Sequence, residues 1–207
     1  MYFGKVRRSQ DKELMIMTKG IEIQTVHQNA RDYIKKYRDI PKFLQFCKAC
    51  PRYNRCWACP EHGFDTEQYI AAYSHVYIIG AKIPVPASLR QIDMSSEQIA
   101  QAAEGITKAA RRILDPVLLS LEQHIPNSLA CYGGTCQLCE TCTRPEGKPC
   151  RFPEKRRPSL EAIGFDVAAT TQDLLGIELL WCKDELPPYL TVISALFTRD
   201  AIFDLTF

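Results

Sequence analysis

No stretch of this sequence is apolar for long enough to span a bilayer. A transmembrane helix needs ~20 such residues, and the strongest uncharged strand-like run, His75–Ala81, stops far short. No export signal is expected either. After Lys5, Arg7 and Arg8 the apolar run is only Leu14–Met17, against roughly 7–15 residues in a secretory leader. A cytoplasmic location is therefore expected. Charge of one sign is also lacking: 26 Lys and Arg against 24 Asp and Glu leave a net +2. So weak a balance gives no pull toward nucleic acid or a membrane surface, and neither is an expected partner. Histidine is scarce, with four isolated positions (His27, His62, His75 and His124) and no legible acid–base set. No P-loop, dinucleotide fingerprint, nucleophile elbow or internal repeat is present. A stand-alone enzyme is thus not the expected reading. With 46% apolar and 24% charged residues over 207 positions, the chain is expected to be one globular domain, residues 1–207.

What the sequence does have is cysteine, ten residues in two groups plus one outlier. In a reducing compartment clustered cysteines bind metal more often than they pair. Disulfides between such near neighbours would also close loops too small to restrain much of the chain. The first group, in loop 47–60, is Cys47-x2-Cys50-x5-Cys56-x2-Cys59 followed by Pro60. Four thiolates suit zinc or iron–sulfur chemistry. Structural zinc knuckles usually stand about 12–20 residues apart, so the five-residue gap here favours a chain wrapped around a bulkier inorganic core. Lys48, Arg52 and Arg55 lie within it and are expected to offset thiolate charge.

The second group, in loop 131–153, contains Cys136-x2-Cys139-x2-Cys142, with Cys150 later and Pro153 beyond. Its first three members have the spacing that opens the bacterial ferredoxin run. A zinc knuckle uses pairs and would leave the third cysteine idle. A competing parse, Cys131-x4-Cys136-x2-Cys139 with distant Cys182, has plant-type [2Fe–2S] spacing. The two parses share ligands, and the first is preferred because all four of its ligands are local. Gly133 and Gly134 permit either a close backbone approach or an ordinary turn. His62, three residues past Cys59, is a candidate ligand or a donor behind one. His75 reads as a satisfied core residue, and His124 as a favourable charge at a helix C-terminus.

Periodicity places these loops among helices and strands. Alternation at Leu14, Ile16, Ile21 and Ile23 suggests one or two short strands in 13–26. Helices are expected over 29–37, over 66–73 behind an Asp65 cap, over 158–162, and between Asp166 and Gly176. Pro41 reads as an interruption before the first loop. Ser95 and Gln98 form a capping box for the longest helix, 96–123, with a kink at Asp115–Pro116 and a core stripe of Ile99, Ala102, Ile106, Ala109, Ile113, Val117 and Leu121. Strands are expected at 75–83, 128–131 and 190–197. The fold class is α+β: a small sheet with helices packed on one face and two cysteine-rich metal-binding loops at the ends of its elements. Lys155, Arg156 and Arg157 read as a solvated loop or, in a redox protein, as a docking site for an acidic partner.

Two segments carry a family likeness. Cys47-Lys-Ala-Cys50, Arg55-Cys56-Trp57-Ala58-Cys59-Pro60, Gly134-Thr-Cys136-Gln-Leu-Cys139-Glu-Thr-Cys142, Pro149-Cys150-Arg151-Phe152-Pro153 and Arg157-Pro158-Ser159-Leu160-Glu161-Ala162-Ile163-Gly164-Phe165-Asp166-Val167 resemble the predicted metal-binding protein family, a domain of unknown function. The likeness runs from about Ala30 to Phe197. It implies a cytoplasmic metal protein, iron–sulfur or otherwise, typical of anaerobic prokaryotes, with some members associated with corrinoid or methyl-transfer systems. The chain departs from the pattern at Glu61, where a proline is common, and at Cys131, where a small residue is common. His62, Cys131 and Cys182 thus join the eight loop cysteines as further candidate ligands. The expectation is an electron-transfer or accessory protein with two [4Fe–4S] clusters and a redox or corrinoid partner. The alternative is a module held by two zinc ions without redox activity.

Overall fold

A computed structural model describes residues 20–202. Residues 13–19, which include Leu14 and Ile16, lie outside it, as do Lys5, Arg7, Arg8 and Leu14–Met17. Four antiparallel strands form one sheet in the order β1-β2-β4-β3. They are β1 (Glu22–Asn29), β2 (His75–Pro84), β3 (Ser128–Cys131) and β4 (Tyr189–Thr198). The two long central strands pair along their whole length, from His75 opposite Thr198 to Pro84 opposite Tyr189. Both are almost wholly buried, so they read as continuous apolar runs rather than alternating ones.

Six α-helices among the described residues complete the α+β fold: α1 (Ala30–Tyr37), α2 (Ile40–Ala49), α3 (Thr66–Ala71), α4 (Ala87–Arg90), α5 (Ser96–His124) and α6 (Val167–Thr170). Caps read from the sequence do their work. Asp65 accepts from the amide of Glu67 at 2.7 Å, and Asp166 accepts from that of Ala169 at 2.9 Å. The Ser95–Gln98 capping box closes in both directions, at 2.8 and 3.3 Å. Thr171–Leu175 continues α6 as a π-turn, ending at Gly176 in the left-handed conformation, φ +63°. Residues 158–162 yield only a 3₁₀ turn, Glu161–Ile163.

Three expectations are corrected. Pro41 does not interrupt the chain: it opens α2, where Asp39 caps the amide of Lys42 at 3.0 Å. Proline lacks only an amide that a first turn leaves unpaired anyway. On α5 the buried stripe after Ile106 passes through Ala110, Leu114 and Leu118, while Ile113 and Val117 are 40% and 39% exposed. The helix is long enough for a 3.6-residue period to drift off a fixed-step template. It also runs on through Pro116 to His124. Finally, helices cover both faces of the sheet rather than one. Val76, Ile78, Ala195 and Phe197 pack under Tyr33 of α1, Ile70 of α3 and Phe165. Ala81, Ile83 and Val192, on the other face, pack under Ile99, Ile106, Ala110 and Leu114 of α5.

Candidate metal centre

The architecture brings the two cysteine loops together. The first loop leaves the end of α2, so that Cys47 sits in its last turn and Cys50 caps it, with the Cys50 amide on the Cys47 carbonyl at 3.0 Å. The second leaves β3. Gly133 lies so close to β4 that a Cβ there would meet Val192 Cγ1 at 2.4 Å and the Ile193 carbonyl at 3.0 Å, while Gly134 takes φ +75°. These glycines serve a close backbone approach and a turn, respectively.

Six contacts then join loop to loop. The Arg144 guanidinium donates to the carbonyls of Cys56 at 2.8 Å, Cys59 at 2.7 Å and Glu61. The same group lies over the Trp57 ring, 5.2 Å from its centre, a cation–π contact. Trp57 Nε1–H donates to the Lys148 carbonyl at 3.1 Å. The Cys59 thiol meets the Thr135 hydroxyl at 3.7 Å. Behind Thr135, Arg111 of α5 donates to its carbonyl at 2.5 Å and is paired with Asp115 at 2.7 Å. Arg111 is only 2% exposed, so its charge is matched by both an anion and a carbonyl, as a buried cation requires.

The thiols themselves gather unevenly. Cys59 and, from the other loop, Cys136 are the neighbours that act most strongly on the Cys56 thiol. They hold it far below its ordinary range, whereas the same contact with Cys56, followed by burial, pushes Cys59 and Cys136 up. Cys47 is raised by burial and donates to the Glu161 carbonyl at 3.9 Å. Cys50 is exposed, and Cys139, Cys142 and Cys150 are partly exposed. Among the described residues, no three Cys, His, Asp or Glu side chains stand ready-arranged around a metal ion. All ten cysteines are free thiols, so the donor chemistry fits a soft metal or an iron–sulfur core.

The remaining candidates separate from this seam. Cys131 is fully buried in the apolar core with Tyr33 and Phe165, and burial pushes its thiol up. Cys182 packs against a different part of the core, beside Leu186 and Ile99. His62 donates from Nε2 to the Ala162 carbonyl at 2.8 Å, leaving Nδ1 bare, buried and unpartnered. It lines a cavity of about 190 Å³ with Cys47, Phe64 and Glu161, whose Oε2 is also buried without a partner. Burial lowers the His62 pKa and raises that of Glu161. His75 pairs with His27 at 2.9 Å, and His124 bonds the Ser120 carbonyl at 2.7 Å in the last turn of α5.

The basic residues also sort differently from the sequence expectation. Arg157 is folded inward onto Glu122, with Nε to Oε2 at 2.7 Å, and both side chains are largely buried. It is therefore not a free docking charge; only Lys155 of the three is fully exposed. Arg52 pairs with Glu104 of α5 at 3.2 Å, rather than standing over thiolates. Sequence reading missed Arg111 and Arg144. Arg111 carried one signal, an opposite charge four residues on at Asp115; Arg144 carried none, because its partners are backbone carbonyls far away in the chain.

A family model described as "Predicted metal-binding protein", domain of unknown function 2284, matches residues 34–197. Among curated proteins and among solved structures, none matches the chain. Among the described residues no helix is long and apolar enough to cross a membrane.

Proposed function

The chain belongs to this predicted metal-binding protein family, and from that premise we propose that it is an iron–sulfur protein carrying two [4Fe–4S] clusters. The observation that supports this reading is the joining of two four-cysteine loops at one seam, with Arg144 on the carbonyls of Cys56 and Cys59. Eight loop thiols match the donors of two cubane clusters, and the Cys-x2-Cys-x2-Cys step of the second loop exceeds what a zinc knuckle uses. When bound, such clusters would each accept and release one electron.

The protein's own residues would set how readily that happens. Arg111 and Arg144 put two guanidinium charges against the loop backbones, which favours an anionic core and raises its potential. Cys56 and Pro60 are buried beneath the seam while Cys50 is exposed, so water is excluded on one side and an edge is left open to a partner. The partner proposed is a redox enzyme, for which this protein serves as electron donor or acceptor. Reconstitution with iron and sulfide under strict anaerobiosis tests the reading. We expect a brown protein with broad absorbance near the blue that bleaches with dithionite; a colourless product would contradict it.

A further inference from the structure

We propose that a second cavity, bordered by both cysteine loops, is a binding site for a small aromatic monocarboxylate held by the Arg156 guanidinium. The cavity has a volume of about 280 Å³, and its wall includes Trp57 of the first loop, Phe64, Tyr69 of α3, and Arg156 and Arg157 beyond the second loop. Pockets for drug-sized molecules run to about 300–1,000 Å³, so a smaller ligand suits this one. No Asp or Glu lines it. Arg157 adds no net charge, because Glu122 accepts from its Nε at 2.7 Å. His62, also in the wall, already donates its Nε2–H to the Ala162 carbonyl at 2.8 Å. That leaves Arg156, half-buried, whose guanidinium makes no hydrogen bond or ion pair to any described residue. A partly desolvated cation in a cavity free of carboxylates favours one anionic group as its partner.

The rest of the wall narrows the class of that anion. Trp57, Phe64 and Tyr69 present three rings, which suit a flat apolar body. Their places are fixed by the fold. Trp57 is tied to the Lys148 carbonyl at 3.1 Å, with Arg144 over its ring. Phe64 stacks between His62 and Tyr69, with ring centres 4.8 and 4.5 Å away. The Arg156 backbone is held at both ends: its amide donates to the Phe152 carbonyl at 3.0 Å, and its carbonyl accepts from Arg157 Nη1 at 2.8 Å. A guanidinium fork matches a planar carboxylate with two parallel hydrogen bonds. The Tyr69 hydroxyl, bonded to no described residue, is a further donor in the same wall. One unpaired cation balances one negative charge, which favours a monocarboxylate over a phosphate dianion. A cavity whose walls are set in advance loses little freedom when it is filled. The site goes beyond the electron-transfer reading and does not depend on which metal the loops hold.

Isothermal titration calorimetry of benzoate into the anaerobically purified full chain tests this. Benzoate should bind at a single site per chain. Benzamide, which keeps the ring without the charge, and inorganic phosphate, which keeps charge without the ring, should each bind at least roughly tenfold more weakly. Arg156→Gln should weaken benzoate by at least roughly tenfold, and Tyr69→Phe by a smaller factor, with metal content and far-UV circular dichroism unchanged in both. Should Arg156→Gln fail to fold, the order of the three probes on the wild-type chain decides. No benzoate binding at millimolar concentration, equal binding of benzoate and benzamide, or equal binding of benzoate and phosphate would overturn the proposal. Undiminished benzoate binding by a folded Arg156→Gln chain would overturn it too, as an adventitious additive only. A chain that carries its metal and binds no benzoate overturns this inference alone; a chain that binds benzoate and carries no metal overturns only the metal-binding reading.

Discussion

Two arginines do work at the seam that no cysteine can do alone. The Arg144 side chain satisfies three carbonyls of the first loop, groups that a tight cysteine turn leaves pointing outward. A hydrogen bond from a charged donor contributes about 1.5–3 kcal/mol, and bonds from one side chain overlap rather than add. Arg144→Met should therefore lower stability by about 2–4 kcal/mol in urea unfolding at constant metal load; an unchanged midpoint would contradict its role as the clasp between loops. The Glu122–Arg157 pair makes a different prediction. Glu122 also accepts from the Ala130 amide at 2.6 Å, so Glu122→Ala leaves both a buried guanidinium and a β3 amide without their anion. A loss of about 3–5 kcal/mol is expected, and Glu122→Gln, which keeps an acceptor, should lose clearly less. Equal losses in the two variants would locate the effect in packing rather than charge. The eight cysteines stand out in the sequence as candidate ligands because thiols at repeated short spacing have few other uses. The arginines were not, since neither a carbonyl acceptor nor a fold-dependent neighbour leaves a mark on the local sequence.

Among the elements, the short β3 strand and its glycine exit decide where the second loop goes. A methyl group at Gly133 would drive into Val192 Cγ1 and the Ile193 carbonyl, neither of which is a flexible side-chain end. Gly133→Ala should cost about 1–3 kcal/mol by overpacking, whereas Gly63→Ala, where nothing lies within 4 Å, should be nearly silent in the same thermal melts. The β1–β2 pair carries a pH signature. His27 Nε2 and His75 Nδ1 lie 2.9 Å apart with one proton between them, and Tyr77 stacks on His27. Desolvation, and then the neighbouring His75, lower the His27 pKa below its ordinary 6.5. The unfolded chain therefore takes up this proton first as pH falls. His27's contribution is present above about 6.5 and is lost as pH drops through the lower folded value. Stability should decline on the acid side of neutrality, and His27→Gln should flatten that part of the curve; an identical slope would contradict the assignment. Strands β2 and β4 and helix α5 were readable because long apolar runs and a capping box are local signals. Helix α2 was not, because a proline at a helix start looks in sequence like a break, and the α5 stripe slipped where a fixed step outran a helix of 29 residues.

Across the whole molecule, the sheet converts sequence distance into proximity. The 71 residues between Cys59 and Cys131 include β2 and α5, and the return of α5 across one face delivers β3 to the edge of β4. From there the second loop reaches the first. That meeting depends on long-range pairing and could not be read from either loop. The same closure places Cys131 and Cys182 in separate parts of the core, so the plant-type parse of the cysteine spacing has no seam of its own. The helices on both faces bury the central strands. The most direct test of the central claim is quantification of iron, acid-labile sulfide and zinc in anaerobically purified protein, with EPR of the reduced sample. The account predicts about eight iron and about eight sulfide per chain, with a reduced-cluster signal; two zinc per chain and no acid-labile sulfide would contradict it.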